Sequence, residues 1–202
     1  MLNLLIFLLC VLIMIGYYLV KNYDSFGGGI IILLGIAVIY VKNLVGHLNL
    51  FYVKETFLTS GLVVLGFTLV CTIFLYFFKE QDKKVFTKYG VVLLLLYIFF
   101  GFLQQLLFQF IFFETVYSLL DNAVIVVFVS AAFYAVFHWK LKQIRFLIVT
   151  FLAGLFWSAF YVMYGNLIWL GVSHGILGTV TFLWYFDGDI LRKTIKNIKL
   201  NL

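Results

Sequence analysis

The side chains that could do chemistry are few, and they lie inside strongly apolar segments. Gln104, Gln105 and Gln109 occur in one such segment, His138 ends a second, and His174 lies in a third. Gln105 and Gln109 are four residues apart and share one face of a helix, while Gln104 lies about 100° around it. An amide can hold a water or a carbonyl group. The pattern predicts a buried site made of two histidines and several glutamines.

Small residues accompany both histidines. In a membrane helix such residues let helix backbones approach closely, and polar side chains at membrane depth usually face the interior of the bundle because their burial is costly. The small residues are Ala131, Ala132 and Ala135 before His138, and Gly171, Gly175 and Gly178 around His174. We therefore expect the three helices to converge on one polar cluster.

Each polar residue also has a structural interpretation. The glutamines could hydrogen-bond across helices as packing contacts, typically worth about 0.6–2 kcal/mol. His138, beside Trp139 and Lys140, could be an interfacial histidine that caps a helix end. His174 is the stronger candidate, because it lies within an apolar, glycine-bounded segment. The sequence leaves the two interpretations of the glutamines open.

The sequence leaves the cofactor question open as well. A zinc site usually needs three ligands from histidine, cysteine or carboxylate side chains. His138 and His174 supply two, and Glu114 would complete the set only if it reached them, so zinc is possible and unassigned. Cys10 and Cys71 lie in apolar segments without a short spacing, which indicates packing residues.

The elements that must position these residues are membrane helices. Of the 202 residues, 65% are hydrophobic, 11% are charged and none is proline. This composition is typical of a polytopic membrane protein, and a span needs roughly 20 apolar residues. The apolar segments predict an all-α fold of about seven transmembrane helices, at about 2–20, 26–41, 56–78, 90–113, 120–139, 144–163 and 167–186.

The cations predict the orientation. Short loops rich in Lys and Arg stay in the cytoplasm, and with the N-terminus outside and the C-terminus inside, all cations except Lys42 and Lys54 fall on that side. We expect one transmembrane domain over 1–186 and a basic amphipathic cytoplasmic tail over 187–202. The net charge of +6 indicates contact with membrane lipids and not with nucleic acid.

This topology also sets the expected depths. His138 should lie near the cytoplasmic end of its helix and His174 nearer the outer end of its own, so tilt, a longer fifth helix or a re-entrant segment would be needed to bring them level. Asp121 and Asn122 should cap the fifth helix. His47 lies in a loop and is not assigned to the site.

The order and spacing of the polar residues resemble the CPBP family, the CAAX-protease and bacteriocin-processing intramembrane proteins that include the type II prenyl protease. Its three motifs are E-E-x-x-x-R, F-x-x-x-H and H-x-x-x-N/D, on separate membrane helices. The first corresponds here to the segment from Gln104 to Gln109, and the second to His138, 34 residues after Gln104, with Tyr134 in the Phe place.

The third motif corresponds to His174, 36 residues after His138, with Gly178 in the Asn or Asp place. The segment around Asn166, just before this helix, also resembles the family's sequence at the start of the third-motif helix. The resemblance covers roughly residues 90–185, and the CPBP-like core is expected over about 90–186.

The resemblance implies an intramembrane peptidase acting on membrane-associated peptides, in which the leading glutamate and the motif-two histidine activate water. Glutamine at Gln104 cannot accept a proton at neutral pH, so the general-base role is unfilled. Glu114 is the one acid nearby, and a kink in the fourth helix would let it take part. The assigned site is His138, His174, Gln104, Gln105, Gln109 and Glu114.

Two functions follow from the resemblance. The first is a CPBP-like peptidase, with weak or lost hydrolysis because glutamine replaces the glutamates. The alternative is a non-catalytic bacteriocin-immunity or peptide-binding protein on the same scaffold. A small transporter is a weaker interpretation, because inverted repeats are not evident. The resemblance and the Lys-, Asn-, Ile- and Phe-rich usage point to a bacterial cytoplasmic membrane.

Overall fold

The computed structural model describes residues 56–80, 85–138 and 144–185, apart from the Arg145 side chain, together with Ile6, Leu8 and Cys10. Helices dominate these residues, and no strand occurs among them. Ile6, Leu8 and Cys10 are helical, as predicted for the first span. The rest of that span, the predicted span at 26–41, His47 and the tail over 187–202 lie outside the described residues.

Six α-helices and one π-helix make up the described part. They are α1 (Phe57–Phe77), α2 (Lys88–Gln105), the π-helix (Leu106–Phe113), α3 (Glu114–Leu120), α4 (Ala123–Phe137), α5 (Ile144–Tyr164) and α6 (Leu167–Tyr185). α2, the π-helix and α3 form one continuous span, Lys88–Leu120. Four helices are long and apolar enough to cross a membrane, and α4 is a shorter apolar helix.

These helices confirm the prediction of an all-helical integral membrane protein. Their bounds lie close to the predicted ranges from residue 56 onward, with one exception. The predicted fourth helix ends at 113, before the acidic Glu114, whereas the observed span continues to Leu120 with Glu114 half-buried inside it. The total of seven spans and the orientation in the membrane stay predictions.

The helices run alternately between two ends of the bundle. We call the end that holds Thr56, Asp121 and Gly165 the Asp121 end, and the end that holds Phe78, Thr87 and Tyr185 the His138 end, because α4 finishes there. Hydrogen bonds tie α1 and α6 together at both. Trp169 Nε1 of α6 donates to the Phe57 carbonyl of α1 at 2.9 Å at one end, and the Tyr185 hydroxyl donates to the Leu75 carbonyl at 3.0 Å at the other. α1 and α6 are therefore parallel neighbours.

Asn166 fixes the turn between α5 and α6. Its Nδ2 donates to Thr56 Oγ1 at 3.0 Å and to Ser60 Oγ at 2.9 Å, so one buried amide joins this turn to the start of α1. At the same end Asn122 caps α4, as predicted, by accepting from the Ile125 N–H at 3.1 Å. Asp121 was expected to share that role. It instead ends α3 in the left-handed region, with φ 48°, which Asp tolerates better than most residues.

Glycine lets α2 and α6 pack backbone to backbone, as the sequence predicted. A side chain at Gly171 would place its Cβ 2.8 Å from the Phe102 Cα, and one at Gly101 would place it 2.9 Å from the Gly171 carbonyl oxygen. A Cβ at Gly175 would collide with the Ile98 backbone. α2 and α6 make the most extensive contact between helices in the described part.

A second close contact joins α4 to α5. A Cβ at Gly154 would lie 2.9 Å from the Ala131 Cα, and Ala135 is also buried. Ala132 was expected to share this packing role. It is exposed, because it lies on the outward face of α4.

We predict that Gly175→Ala lowers the free energy of unfolding in detergent micelles by about 1–3 kcal/mol, since the added methyl group must push α2 away from α6. Chemical denaturation followed by circular dichroism measures this change. Gly66→Ala is the matched control, because nothing lies within 4 Å of a Cβ there. Equal stability of the two variants would show that α2 and α6 need no backbone contact.

Candidate functional site

His174 is the centre of a buried polar cluster. Its Nδ1 lies 3.1 Å from Gln105 Nε2 on α2, and its Nε2 lies 3.3 Å from the Tyr134 hydroxyl on α4. The Trp157 ring on α5 stacks on the imidazole, with ring centroids 4.5 Å apart and planes 13° apart. His174 is 6% exposed and Gln105 is fully buried. Four helices therefore position this imidazole ring.

The hydrogen bonds define the protonation of the ring. With the Gln105 amide nitrogen donating to Nδ1, the imidazole is neutral and carries its hydrogen on Nε2, which then donates to the Tyr134 oxygen. Turning the amide over would reverse both bonds. In either direction Gln105 and Tyr134 hold the two ring nitrogens in one line of hydrogen bonds.

A second network fixes the Trp157 ring. Trp157 Nε1 donates to Ser173 Oγ at 3.2 Å, and the Thr68 and Ser173 hydroxyl groups are 2.7 Å apart. Thr68 and Ser173 are buried, so α1 supports the site from behind α6. The roles of Thr68, Trp157 and Ser173 had no signal in the sequence, because neither a hydroxyl nor an indole in an apolar segment reveals its partner. Tyr134 was placed at the Phe position of the second motif, but no contact was predicted for it.

His138 has the structural role that the sequence allowed and also lies beside the cluster. It is the C-cap of α4, and its Nδ1 donates to the Tyr134 carbonyl at 2.8 Å. Its ring lies against the Tyr134 ring, with centroids 4.4 Å apart, and the Tyr134 ring in turn contacts His174 at 5.7 Å. Tyr134 thus lies between the two histidines and contacts both rings.

Of the glutamines, Gln105 makes a described contact with a histidine. Gln104 is partly buried, and Gln109 is 1% exposed. The Oε1 atoms of all three are buried and accept no hydrogen bond within the described part of the chain. An unsatisfied buried acceptor costs about 1–3 kcal/mol. These three amides therefore have acceptor capacity that the described residues do not use.

The π-helix places Glu114 on the same side as Gln105. The two residues are nine positions apart, which is two and a half turns of an α-helix and would put them on opposite faces. A π-helix closes i→i+5 bonds with about 4.4 residues per turn, so nine residues make about two turns. The segment that separates them, Leu106–Phe113, is π-helical throughout. From the sequence, a kink in the fourth helix was the condition for Glu114 to take part, and the structure has a change of helix type in this segment.

Contacts with α5 agree with this alignment. Gln105 bonds to His174, which stacks on Trp157, and the Glu114 carboxylate interacts electrostatically with the Tyr161 hydroxyl. Trp157 and Tyr161 are one turn apart and share a face of α5. Glu114 does not contact His174 directly. We call Gln105, Gln109 and Glu114 the polar stripe.

Zinc was left open by the sequence. Among the described residues, no group of three or more His, Cys, Asp or Glu side chains could hold a metal ion. Cys71 is partly buried in α1, and Cys10 is buried in the core.

Comparison with known proteins gives one match. Residues 86–180 match the family model described as type II CAAX prenyl endopeptidase Rce1-like. The matched range runs from just before α2 into α6 and contains the polar stripe, His138 and His174. No curated protein and no solved structure matches the chain.

We predict that Tyr134→Phe lowers the free energy of unfolding by about 0.5–1.5 kcal/mol, because the His174 ring loses a buried hydrogen bond. The control is Tyr117→Phe, which removes the same atom from a tyrosine that is 38% exposed. That variant should change the free energy of unfolding by less than about 0.5 kcal/mol. Denaturation in micelles compares the two, and a larger loss in Tyr117→Phe would contradict the assigned bond.

Proposed function

Because residues 86–180 of this chain match the Rce1-like family model, we propose that the protein binds membrane-associated peptides in the cluster around His174, on the scaffold of an intramembrane peptidase, without cleaving them. The observation that carries this proposal is the Gln105–His174 contact at 3.1 Å, in which an amide stands where the family resemblance implies a carboxylate. This proposal corresponds to the alternative interpretation of the sequence, a non-catalytic peptide-binding or bacteriocin-immunity protein.

The chemistry of the partners supports binding over hydrolysis. Activation of water needs a group that accepts a proton at neutral pH. An amide does not accept one, and both ring nitrogens of His174 already lie against Gln105 and Tyr134. Gln104 and Gln109, in the remaining positions of the same motif, are amides too. The site keeps its hydrogen-bonding capacity while its charges are absent.

The same groups suit a peptide backbone. In lipid, the N–H and C=O groups of an extended segment must find partners within protein. The three unpaired Oε1 atoms are acceptors for peptide N–H groups, and the Tyr134 hydroxyl can donate to a peptide carbonyl. Binding would satisfy acceptors that the described residues leave unpaired.

A second candidate function is peptide hydrolysis, and the position of Glu114 favours it. Its carboxylate lies on the polar stripe, and it is the one acid within the described span Lys88–Leu120. A water held by Gln109 could connect it to a bound peptide. In that case His138 and His174 would stabilise the developing oxyanion.

We extend the proposal to the whole chain as the sequence suggested. Residues 1–186 would form one transmembrane domain in a bacterial cytoplasmic membrane, with membrane lipids and a peptide as partners and with 187–202 as its tail. The apolar helices of the described part support an integral membrane location.

We predict that purified wild-type protein in lipid nanodiscs binds members of a defined pool of synthetic membrane peptides and leaves them intact. His174→Ala should weaken this binding at least tenfold, because the ring that orients Gln105 and Tyr134 is gone. Fluorescence anisotropy measures binding, and mass spectrometry detects cleavage. Cys71→Ala, at a partly buried residue away from His174, is the control and should bind like wild type.

Gln104→Glu restores an acid in the first motif and decides between the two candidates. Cleavage by this variant and not by wild type would support a binding protein on a peptidase scaffold. Cleavage by wild type that disappears in Glu114→Gln would establish hydrolysis instead. Equal binding by wild type and His174→Ala would refute the proposed site.

A further inference from the structure

Glu114 is a half-buried acid inside an apolar helix. It lies at the start of α3, whose seven residues put it about 10 Å from the Asp121 end of the span. An ionisable residue within a membrane helix is costly and usually has a charged or polar partner. Among the described residues, the group that interacts with Glu114 is the neutral Tyr161 hydroxyl.

The described cations are far from this acid. Lys79, just beyond α1, and Lys88, the first residue of α2, both lie at the His138 end. His138 and His174 bond to Tyr134 and Gln105. No ion pair with Glu114 is formed among the described residues, so its negative charge lacks a counter-charge there.

Acceptor oxygens lie on the same side of the span as the acid. Gln105 Oε1 and Gln109 Oε1 are buried and complete no hydrogen bond within the described residues, and the Tyr161 hydroxyl interacts with Glu114 itself. Gln109 is 1% exposed and Tyr161 is 4% exposed. The π-helix and the shared face of α5 bring them onto the side that holds Glu114. The stripe from His174 to Glu114 is thus rich in acceptors and ends in a negative charge.

We propose that Glu114, Gln109 and Tyr161 form a recognition site for a basic group, the ammonium of a lysine or the guanidinium of an arginine, on the peptide bound at His174. An ammonium carries three N–H donors and a guanidinium five, with no acceptor, which matches a carboxylate with a tyrosine oxygen beside it and unpaired amide oxygens on the same side of the span. The Tyr161 ring adds a face for a cation–π contact. This inference rests on the proposed function and names its peptide class.

The position near the Asp121 end makes such a contact feasible. Long basic side chains bury their methylene groups against apolar surface and carry the charge toward the interface. A peptide lying along the polar stripe from the His174 cluster would reach Glu114 with a side chain before it leaves that end. Glu114 would then select among peptides, while the His174 cluster holds their backbone.

The test uses full-length protein in phosphatidylcholine nanodiscs, because a neutral lipid does not concentrate cations. The probes are a Leu/Ala host peptide of about 20 residues with Lys, Arg, norleucine or Glu at one guest position, scanned along the sequence. We expect the best Lys or Arg peptide to bind at least tenfold more tightly than its norleucine counterpart. Glu114→Gln should reduce this ratio below twofold, and Glu114→Lys should favour the Glu peptide.

Glu80→Gln is the matched control. It removes the same charge from an exposed acid at the His138 end, and it should leave the preference for basic peptides unchanged. A general effect of net charge would lower the preference equally in both variants and would overturn the inference. Circular dichroism of each variant shows that the fold is retained.

A peptide-independent probe separates the two proposals. Decylammonium should bind wild type at least fivefold more tightly than Glu114→Gln, whereas decanol should not distinguish them. Peptide binding without preference for a basic residue would refute the recognition site and leave the proposed function standing. Absence of peptide binding together with Glu114-dependent decylammonium binding would refute the proposed function alone. Failure of both probes would overturn both.

Discussion

The contact between α2 and α6 is the constraint on which the site depends. These helices touch through backbone atoms, because Gly101, Gly171 and Gly175 offer no side chains to separate them. Only at this distance does the short Gln105 side chain reach the His174 ring. In lipid, where the hydrophobic effect does not drive helices together, such close contacts and interhelical hydrogen bonds supply the association. The same glycine contacts therefore determine both the packing of α2 against α6 and the geometry of the site.

Around this contact, hydrogen bonds are arranged in layers. Thr68 and Ser173 hold the Trp157 indole, Trp157 supports the imidazole plane, and Gln105 and Tyr134 hold its two nitrogens. The layers come from α1, α2, α4, α5 and α6. The position of the imidazole therefore depends on how all five helices are placed. The amide oxygens of Gln104, Gln105 and Gln109 complete no hydrogen bond within the described residues. The cluster thus combines an imidazole whose nitrogens both have partners with unpaired amide acceptors.

Most of the described helices and part of the candidate site could be predicted from the sequence. The features that could not be predicted have physical reasons. The apolar runs predicted the bounds of most described helices to within a few residues. A segment in lipid must satisfy its own backbone hydrogen bonds, and a helix does so. His174 was identified because a polar residue between glycines in such a run needs a partner, and Gln105 because it shares a helix face with Gln109. The contacts of Trp157, Ser173 and Tyr134 could not be read, since each depends on how helices rotate against one another. The end of the fourth span was missed because an acid was taken to mark an interface.

The π-helix over Leu106–Phe113 is the feature that is hardest to predict from sequence. It affects how the sequences of related proteins can diverge. In most helices, residue type alone decides what faces a site, since the 3.6-residue repeat is fixed. Across Leu106–Phe113 the repeat is different, so the number of residues matters as much as their identity. Loss of a single residue there would let the segment return to an α-helix and turn Glu114 by roughly a quarter of a turn relative to Gln105. Two relatives with identical side chains around His174 could then present different charges to their ligands, purely through chain length.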